Sequence, residues 1–173
     1  MKAYIIECKP KGFFVPFSWL IRKFQGLPFS HYALVFINET GLMKTVDASG
    51  RTVHQESIEN FKKRYEIIRT YKIENLQFGL PEFKRWLYPF EGDPYGYKQV
   101  VGLLFLSLGI TKHNIFSNGI DKLICNEFVL RFLSFQGLIA DIKFDDWDLV
   151  RTRKYLESHF KYEDGSLLLT TSL

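Results

Sequence analysis

The spacing of hydrophobic and polar residues predicts the strands of this chain. Short apolar runs indicate strands at Ala3 to Glu7, Tyr32 to Ile37 and Leu42 to Ala48. Tyr65 to Tyr71 alternates ring, apolar and basic residues, like a strand with one solvated face. The Asn38 to Gly41 loop supplies turn residues, so the second and third strands are predicted to form an antiparallel hairpin.

Apolar residues at helical spacing predict the helices. A first helix at Pro16 to Phe24 is stopped by Gln25-Gly26, and a polar helix covers Ser57 to Arg64. Four later helices are predicted at Pro81 to Leu87, Tyr97 to Leu108, Cys125 to Phe135 and roughly Trp147 to Ser158, separated by Gly109, Gly119 and Gly137. This order predicts an α+β fold with helices covering one side of an antiparallel sheet.

Length and composition predict one globular domain. The 173 residues suffice for a single buried core, and 46% hydrophobic with 17% aromatic residues argues against disorder. Residues 1–160 are therefore expected to form one domain, and 161–173 a flexible C-terminal tail.

Charge and cysteine content exclude several classes of function. The formal charge of +4 is mild and scattered, and no nucleic-acid-binding motif accompanies it, so nucleic acid is not an expected partner. An anionic cell-wall polymer or a peripheral membrane contact stays compatible with a basic surface. Two cysteines, Cys8 and Cys125, make neither a disulfide framework nor a metal-ligand spacing. Without a signal peptide or a membrane-spanning stretch, the chain is expected in the cytoplasm.

Cys125 carries the most chemical information in the sequence. It opens an apolar helix, and Lys122 precedes it. The free backbone N–H groups and the dipole at a helix N-terminus stabilise a thiolate and can hold an oxyanion. His31 stands at the start of a buried strand and is the candidate partner base. The pair indicates a cysteine hydrolase or acyltransferase, although a buried structural cysteine is the alternative.

Four segments resemble, in one order, motifs of the circularly permuted papain-like hydrolases related to the NlpC/P60 superfamily. The YiiX and YaeF branch is the nearest, and lecithin retinol acyltransferase is a more distant relative. The matching segments are Ser30 to Val35 with the histidine, Thr45 to Ala48 with a third polar residue, Gly92 to Tyr97 turning into a helix, and Ile124 to Val129 with the nucleophile. The resemblance spans roughly residues 16 to 135. In ordinary papain-like chains the cysteine helix comes first, whereas here it comes late.

The resemblance implies a Cys125, His31 and Asp47 triad. The hairpin lets Asp47 reach the imidazole, since the start of one strand lies beside the end of the next. Asp47 stands where relatives more often carry Glu or His, and a role in a turn or cap is its alternative. Tyr95, Tyr97 and Asn126 are candidate oxyanion or substrate contacts, with packing the alternative for the tyrosines.

The implied activity is hydrolysis of an amide or ester through a covalent acyl-enzyme, with no cofactor and no metal. Peptidoglycan-type peptides and lipid-derived acyl groups are the implied substrates. Two alternatives stay open: an acyltransferase or lipase at a membrane surface, and a non-catalytic module that binds peptide or lipid. Cys8 is assigned to the core. His54, His113 and His159 are assigned to the surface because they lie in polar loops or at a helix end, and they lack the spacing of a zinc site.

Overall fold

A six-stranded antiparallel sheet forms the centre of the computed structural model, which describes residues 1–12, 16–49, 52–92, 94–116, 123–140 and 144–170. Gly119, Lys122 and residues 171–173, all used in the sequence analysis, lie outside these ranges. The strands are β1 (Lys2–Pro10), β2 (His31–Ile37), β3 (Met43–Ser49), β4 (Thr52–Ser57), β5 (Tyr65–Ile73) and β6 (Tyr162–Asp164). They pair in the order β4-β3-β2-β1-β5-β6.

Helices connect and cover these strands. They are α1 (Pro16–Gln25), α2 (Ile58–Arg64), α3 (Leu80–Leu87), α4 (Tyr97–Ser107), α5 (Cys125–Phe135), α6 (Leu149–His159) and α7 (Leu167–Thr170), with a 3₁₀ turn at Tyr88–Phe90. The predicted α+β class is confirmed, and predicted strands and helices recur near their expected bounds. The predicted hairpin is also present, because β2 and β3 pair antiparallel.

Both faces of the sheet are covered, so the prediction of helices on one side only is wrong. The larger core packs Ile5, Leu34 and Val46 against α3, α5 and α6. On the opposite face, apolar residues of β1, β2 and β3 pack against Ile58 and Phe61 of α2 and Leu169 of α7. Strand β2 shows the reason. All seven of its residues are buried, and all except His31 and Tyr32 are apolar, so the strand needs cover on both faces.

The predicted flexible tail at 161–173 is wrong for residues 161–170. Tyr162–Asp164 pairs with β5, and the Thr70 hydroxyl donates a 2.7 Å hydrogen bond to the Gly165 carbonyl. Leu169 is fully buried in the second core. The segment was not predicted as a strand because three residues are too few to show an alternation of apolar and polar side chains. Its partner strand, β5, lies about 90 residues earlier in the sequence.

Strand β4 was also missed by the sequence prediction. It pairs with β3 in a register that places Asp47 opposite His54 and Ser49 opposite Thr52. Its polar composition lacks a clear apolar alternation, so the pairing with β3 decides its structure.

Aromatic side chains hold α5 in place. The rings of Phe36, Phe83, Trp86, Phe128, Phe132 and Phe135 form a continuous cluster in which neighbouring centroids lie 4.1 to 5.9 Å apart. Helix α5 packs on β2 through this cluster and also contacts β3. Its first residue, Cys125, interacts with His31 and Tyr32 at the start of β2. Among the described residues, no helix combines the length and the hydropathy needed to cross a bilayer.

Candidate active site

Cys125 is the first residue of α5, and the local sequence leaves that helix end uncapped. The N-cap residue is Ile124, with extended backbone and no side-chain oxygen to accept from the first turn. The N–H groups of a first turn have no partner within their helix. Because Ile124 cannot satisfy them, they are available to an anion beside Cys125.

Four polar groups act on the Cys125 sulfur. The His31 ring and the backbone N–H groups of Tyr32 and Asn126 lower the pKa of its thiol. The Tyr95 hydroxyl interacts with the same sulfur. Donors from β2, α5 and the turn before α4 thus converge on one atom, which favours its anionic form.

The His31 imidazole joins this sulfur to Asp47. The ring Nε2 atom lies 2.8 Å from Asp47 Oδ2, so the remaining nitrogen, Nδ1, is left for the thiol. The carboxylate can only accept, which makes Nε2 the protonated nitrogen in the neutral ring. The contact predicted from hairpin geometry is therefore present, and the turn or cap alternative for Asp47 is not needed. Asp47 is fully buried and belongs to β3.

These contacts favour a thiolate and imidazolium pair. Burial alone would raise the pKa of the Cys125 thiol, but the charge and hydrogen bond of His31 and the two backbone N–H groups lower it below its ordinary value. Burial opposes charge on His31 too, yet the Cys125 charge and the Asp47 hydrogen bond raise the pKa of its ring well above the usual range. For Asp47, the His31 contacts outweigh burial and lower the carboxyl pKa. Each charge stabilises the next.

The orientation of the imidazole is further restricted by residues that the sequence analysis missed. The Tyr65 ring stacks on His31 with centroids 5.2 Å apart, and Phe61 stacks behind Tyr65 at 4.6 Å. Ser30, next to His31, shares a 2.6 Å hydrogen bond with Ser18 of α1. Tyr65 begins β5 and was read only as a strand residue, because a stacking partner 34 positions away leaves no local signal.

A cleft of about 310 Å³ opens beside this array. Its lining includes His31 and Tyr65, Ile21 of α1, Tyr95 from the turn before α4, and Tyr97 and Val100 of α4. A smaller cavity of about 20 Å³ continues past Cys125 between α1, α4 and α5, with Ile21, Ser30, Tyr95 and Val100 common to both spaces. Apart from His31 and Cys125, the described lining residues of both spaces carry no ionisable acid or base other than tyrosine.

The remaining predicted contacts differ in position. Tyr95 is half-buried and interacts with Cys125, whereas Tyr97 is about half exposed and packs edge-on against Tyr95 at 4.9 Å. Asn126 contacts Cys125 through its backbone N–H, because its side-chain amide donates to the Trp147 carbonyl. Asp93, in the same motif as Tyr95, lies outside the described residues.

Asp47 has a second imidazole neighbour that the sequence analysis placed on the surface. His54 Nε2 lies 3.4 Å from Asp47 Oδ1 and 3.7 Å from Glu56 Oε1. The Arg64 guanidinium donates to both Glu56 and His54. The register of β3 with β4 brings His54 to Asp47, and that register was not predicted because β4 itself was missed.

Comparison with known proteins does not identify a family for this chain. Neither a protein-family model nor a curated protein matches this chain.

Proposed function

We propose that this protein is a cysteine hydrolase in which Cys125 attacks an amide or ester carbonyl. The observation that carries the proposal is the array of Cys125, His31 and Asp47 at an uncapped helix N-terminus, in which His31 is hydrogen-bonded to Asp47 at 2.8 Å and lowers the pKa of the Cys125 thiol. A cysteine nucleophile needs a base within hydrogen-bond reach and a third group that orients that base, and all three are adjacent here. The proposal includes a permuted papain-like fold, in which the histidine strand precedes the cysteine helix.

The proposed reaction has two halves. The thiolate adds to the carbonyl carbon, and the oxyanion is held by first-turn N–H groups of α5 together with the Tyr95 hydroxyl. The His31 imidazolium then gives its proton to the leaving amine or alcohol, and a thioester to Cys125 is left. Water, deprotonated by His31, attacks this thioester and releases the acid, and the thiolate is restored.

The cleft supports an uncharged acyl group as the part of the substrate bound next to Cys125. Ile21, Val100 and Leu103 form its apolar walls, and Ser18, Ser30 and Ser49 supply neutral hydrogen-bonding groups. No described lining residue offers the Arg, Lys, Asp or Glu that would pair with a charged group. Within the implied substrate classes, this favours lipid-derived or neutral peptidyl acyl groups over strongly acidic peptides.

The decisive experiment traps the acyl-enzyme. The protein is incubated with a panel of nitrophenyl esters of neutral and acidic acids, quenched in acid and digested, and the adduct is located by mass spectrometry. The proposal is supported if the acyl group is found on Cys125 and is absent from the Cys125→Ser variant. The Cys8→Ser variant should still form the adduct and still turn over the substrate. Hydrolysis that persists in Cys125→Ser would refute it.

Replacing Tyr95 with Phe tests the proposed oxyanion donor. Removal of one such donor costs about 10² to 10³ in kcat in other enzymes, and a loss of that order is expected here with a smaller change in KM. Tyr97→Phe is the matched control, because its ring lines the same cleft on the exposed side. Equal effects of both variants would assign Tyr95 to packing alone.

Exposed aromatic residues favour a second candidate, acyl transfer at a membrane surface. Trp19 and Phe24 of α1 are 46% and 43% exposed, and the Lys23 ammonium lies 4.8 Å above the Trp19 ring. An exposed ring beside a cation is typical of helices that lie in a lipid interface. This candidate is favoured over hydrolysis if anionic vesicles bind the protein, Trp19→Ala removes the binding, and the acyl group passes from Cys125 to an added amine rather than to water.

A further inference from the structure

Strands β3 and β4 bring together three side chains that can ligate a cation. His54 is the cross-strand partner of Asp47, and Glu56 is two residues further along β4, so all three project from one face. One ligand atom from each, an imidazole nitrogen and two carboxylate oxygens, lies within 4.8 Å of the others. No spacing in the sequence signals this set, because it forms across a strand pair.

In the tautomer that donates Nδ1–H to the Thr52 carbonyl, His54 presents the lone pair of Nε2 to the two carboxylates. Its Nδ1 atom lies 3.4 Å from the Thr52 carbonyl oxygen, which only accepts, so this contact requires a proton on Nδ1. In the neutral ring Nε2 then faces Asp47 Oδ1 and Glu56 Oε1 as a third acceptor. A backbone carbonyl on the distal nitrogen is the usual support of a metal-binding histidine.

A second observation is that Asp47 Oδ1 accepts no hydrogen bond of normal geometry from the described residues, although the Asp47 side chain is fully buried. Besides His31, the Ser49 hydroxyl and the His54 imidazole act on this carboxylate. Its other oxygen is engaged by His31. A buried carboxylate oxygen without a hydrogen bond is costly, and a bound ion is one of the ways in which native structures satisfy such an atom. Oδ1 is directed toward His54, which is also the side where the cluster reaches solvent.

The two separations from His54 are close to those around a small tetrahedral cation, and the two carboxylate oxygens lie within 4.8 Å of each other. Zinc bonds to nitrogen and oxygen of about 2.0 to 2.2 Å require ligand separations of about 3.3 to 3.6 Å. The observed separations from His54 Nε2 are 3.4 Å to Asp47 Oδ1 and 3.7 Å to Glu56 Oε1. In the structure a cation already approaches this point, since the Arg64 guanidinium lies 3.3 Å from His54 Nε2 and is paired with Glu56. Its side chain is 46% exposed and can move outward.

We propose that Asp47, His54 and Glu56 form a binding site for a divalent transition metal, Zn²⁺ being the best fit, in competition with the Arg64 side chain. The ligand set leaves one tetrahedral position for water. Asp47 also orients His31 through its other oxygen. A metal bound at Oδ1 would therefore reduce the negative charge that the carboxylate offers to the His31 ring. The site itself depends only on the geometry of β3 and β4 and stands whether or not the protein is a hydrolase.

The test uses the full chain with Cys125→Ser, which removes the thiol as a competing ligand. Co²⁺ is titrated with detection by absorption, and Zn²⁺ is then added in competition. Saturable binding with a tetrahedral cobalt spectrum and no thiolate charge-transfer band is expected. His54→Ala and Glu56→Gln should each weaken binding at least about tenfold. Arg64→Ala should tighten it at least about threefold, because a positive charge leaves the site.

His113→Ala is the matched control, since that exposed imidazole also pairs with an aspartate, Asp146, at 3.1 Å. It should leave the cobalt affinity unchanged. Thermal melting of each variant separates a lost ligand from a lost fold. Absence of saturable binding in the Cys125→Ser protein, or affinity indifferent to both His54→Ala and Arg64→Ala in folded variants, would overturn the proposal.

Discussion

At the scale of single residues, the two cysteines have opposite properties although both are buried. Burial dominates at Cys8, raising the pKa of its thiol far above the ordinary value, and the thiol donates to the backbone carbonyl of His31 at 3.6 Å. At Cys125 the imidazole and two backbone N–H groups outweigh burial and lower the pKa. The difference comes from position, since one cysteine lies mid-strand and the other at an uncapped helix end.

This contrast predicts selective alkylation. A lowered thiol pKa keeps part of Cys125 as thiolate at pH values below the ordinary thiol pKa of about 8.5, so iodoacetamide should modify it near pH 7 while Cys8 stays unmodified. His31→Ala should slow the reaction, because the cation that stabilises the thiolate is gone. Peptide mass spectrometry over a pH series measures both rates. Equal labelling of the two cysteines, or a rate insensitive to His31→Ala, would favour the non-catalytic binding module.

Asp47→Asn tests the third member of the array. An amide can present its N–H to the ring and reverse the tautomer, so turnover should fall about 10²-fold or more. The lowered carboxyl pKa contributes stability that is present above the ordinary Asp pKa of about 3.9 and is lost as pH falls through the folded-state value. The variant should therefore melt cooperatively at neutral pH but lose part of this acid dependence, as circular dichroism melts at several pH values can show.

At the scale of secondary structure elements, buried polar contacts position the helices around the cleft. Glu127 of α5 accepts from Gln99 of α4 at 2.8 Å and from Arg131 at 2.6 Å. Asn114, after α4, donates to the Gln99 and Asp145 carbonyls at 3.2 and 3.1 Å. These bonds tie α4 to α5 and to the segment before α6, so the cleft wall at Val100 is held relative to Cys125.

Gly102 in α4 provides a test of this arrangement. A Cβ added there would overlap the Asn114 side chain and lie 2.9 Å from its Cγ. Alanine is the better helix former by about 1 kcal/mol, yet Gly102→Ala should destabilise the protein by about 2 kcal/mol, because Asn114 must leave its bonds. Chemical denaturation measures the change. Lys98→Ala, at an exposed position of the same helix, is the control and should change stability by less than about 0.5 kcal/mol.

At the scale of the whole molecule, the C-terminal segment completes the fold. β1 lies at the centre of the sheet between β2 and β5, and β6 extends the edge beyond β5. The α7 helix then returns to the face opposite α5, where Leu169 packs among Tyr4, Ile6 and Phe61. Residues from both ends of the sequence therefore share one core, which covers the face that α5 leaves open.

Leu169→Ala should accordingly behave as a core substitution. Deleting a fully buried leucine side chain costs about 3 kcal/mol, and a loss of that size is expected in urea denaturation. Leu167→Ala, in the same short helix but 56% exposed, should cost less than about 0.5 kcal/mol. Two small and similar effects would indicate that residues 161–170 do not pack in solution.

Properties that depend on near neighbours in the chain were predictable from the order of the amino acids. Helix α5 and its start at Cys125 follow from apolar spacing, and the β2–β3 hairpin from a turn at Asn38 to Gly41 in which the Asn38 side chain accepts from the Thr40 and Leu42 backbone N–H groups. His31 and Asp47 were found because hairpin pairing and a family resemblance both indicated them. Such signals act over a few residues, or across one tight connection, and can be read from a single chain.

Contacts that join distant segments depend on how the folded elements pack together. The stacking of Tyr65 on His31, the approach of His54 to Asp47, the contact of Tyr95 with Cys125 and the burial of Leu169 all depend on strand register and helix packing. Polar strands such as β4 have no strong periodicity of their own, and they become strands because a neighbour offers its hydrogen bonds. The energies of these contacts depend on pairs of residues that are distant in sequence, so the composition and spacing of one segment do not predict them.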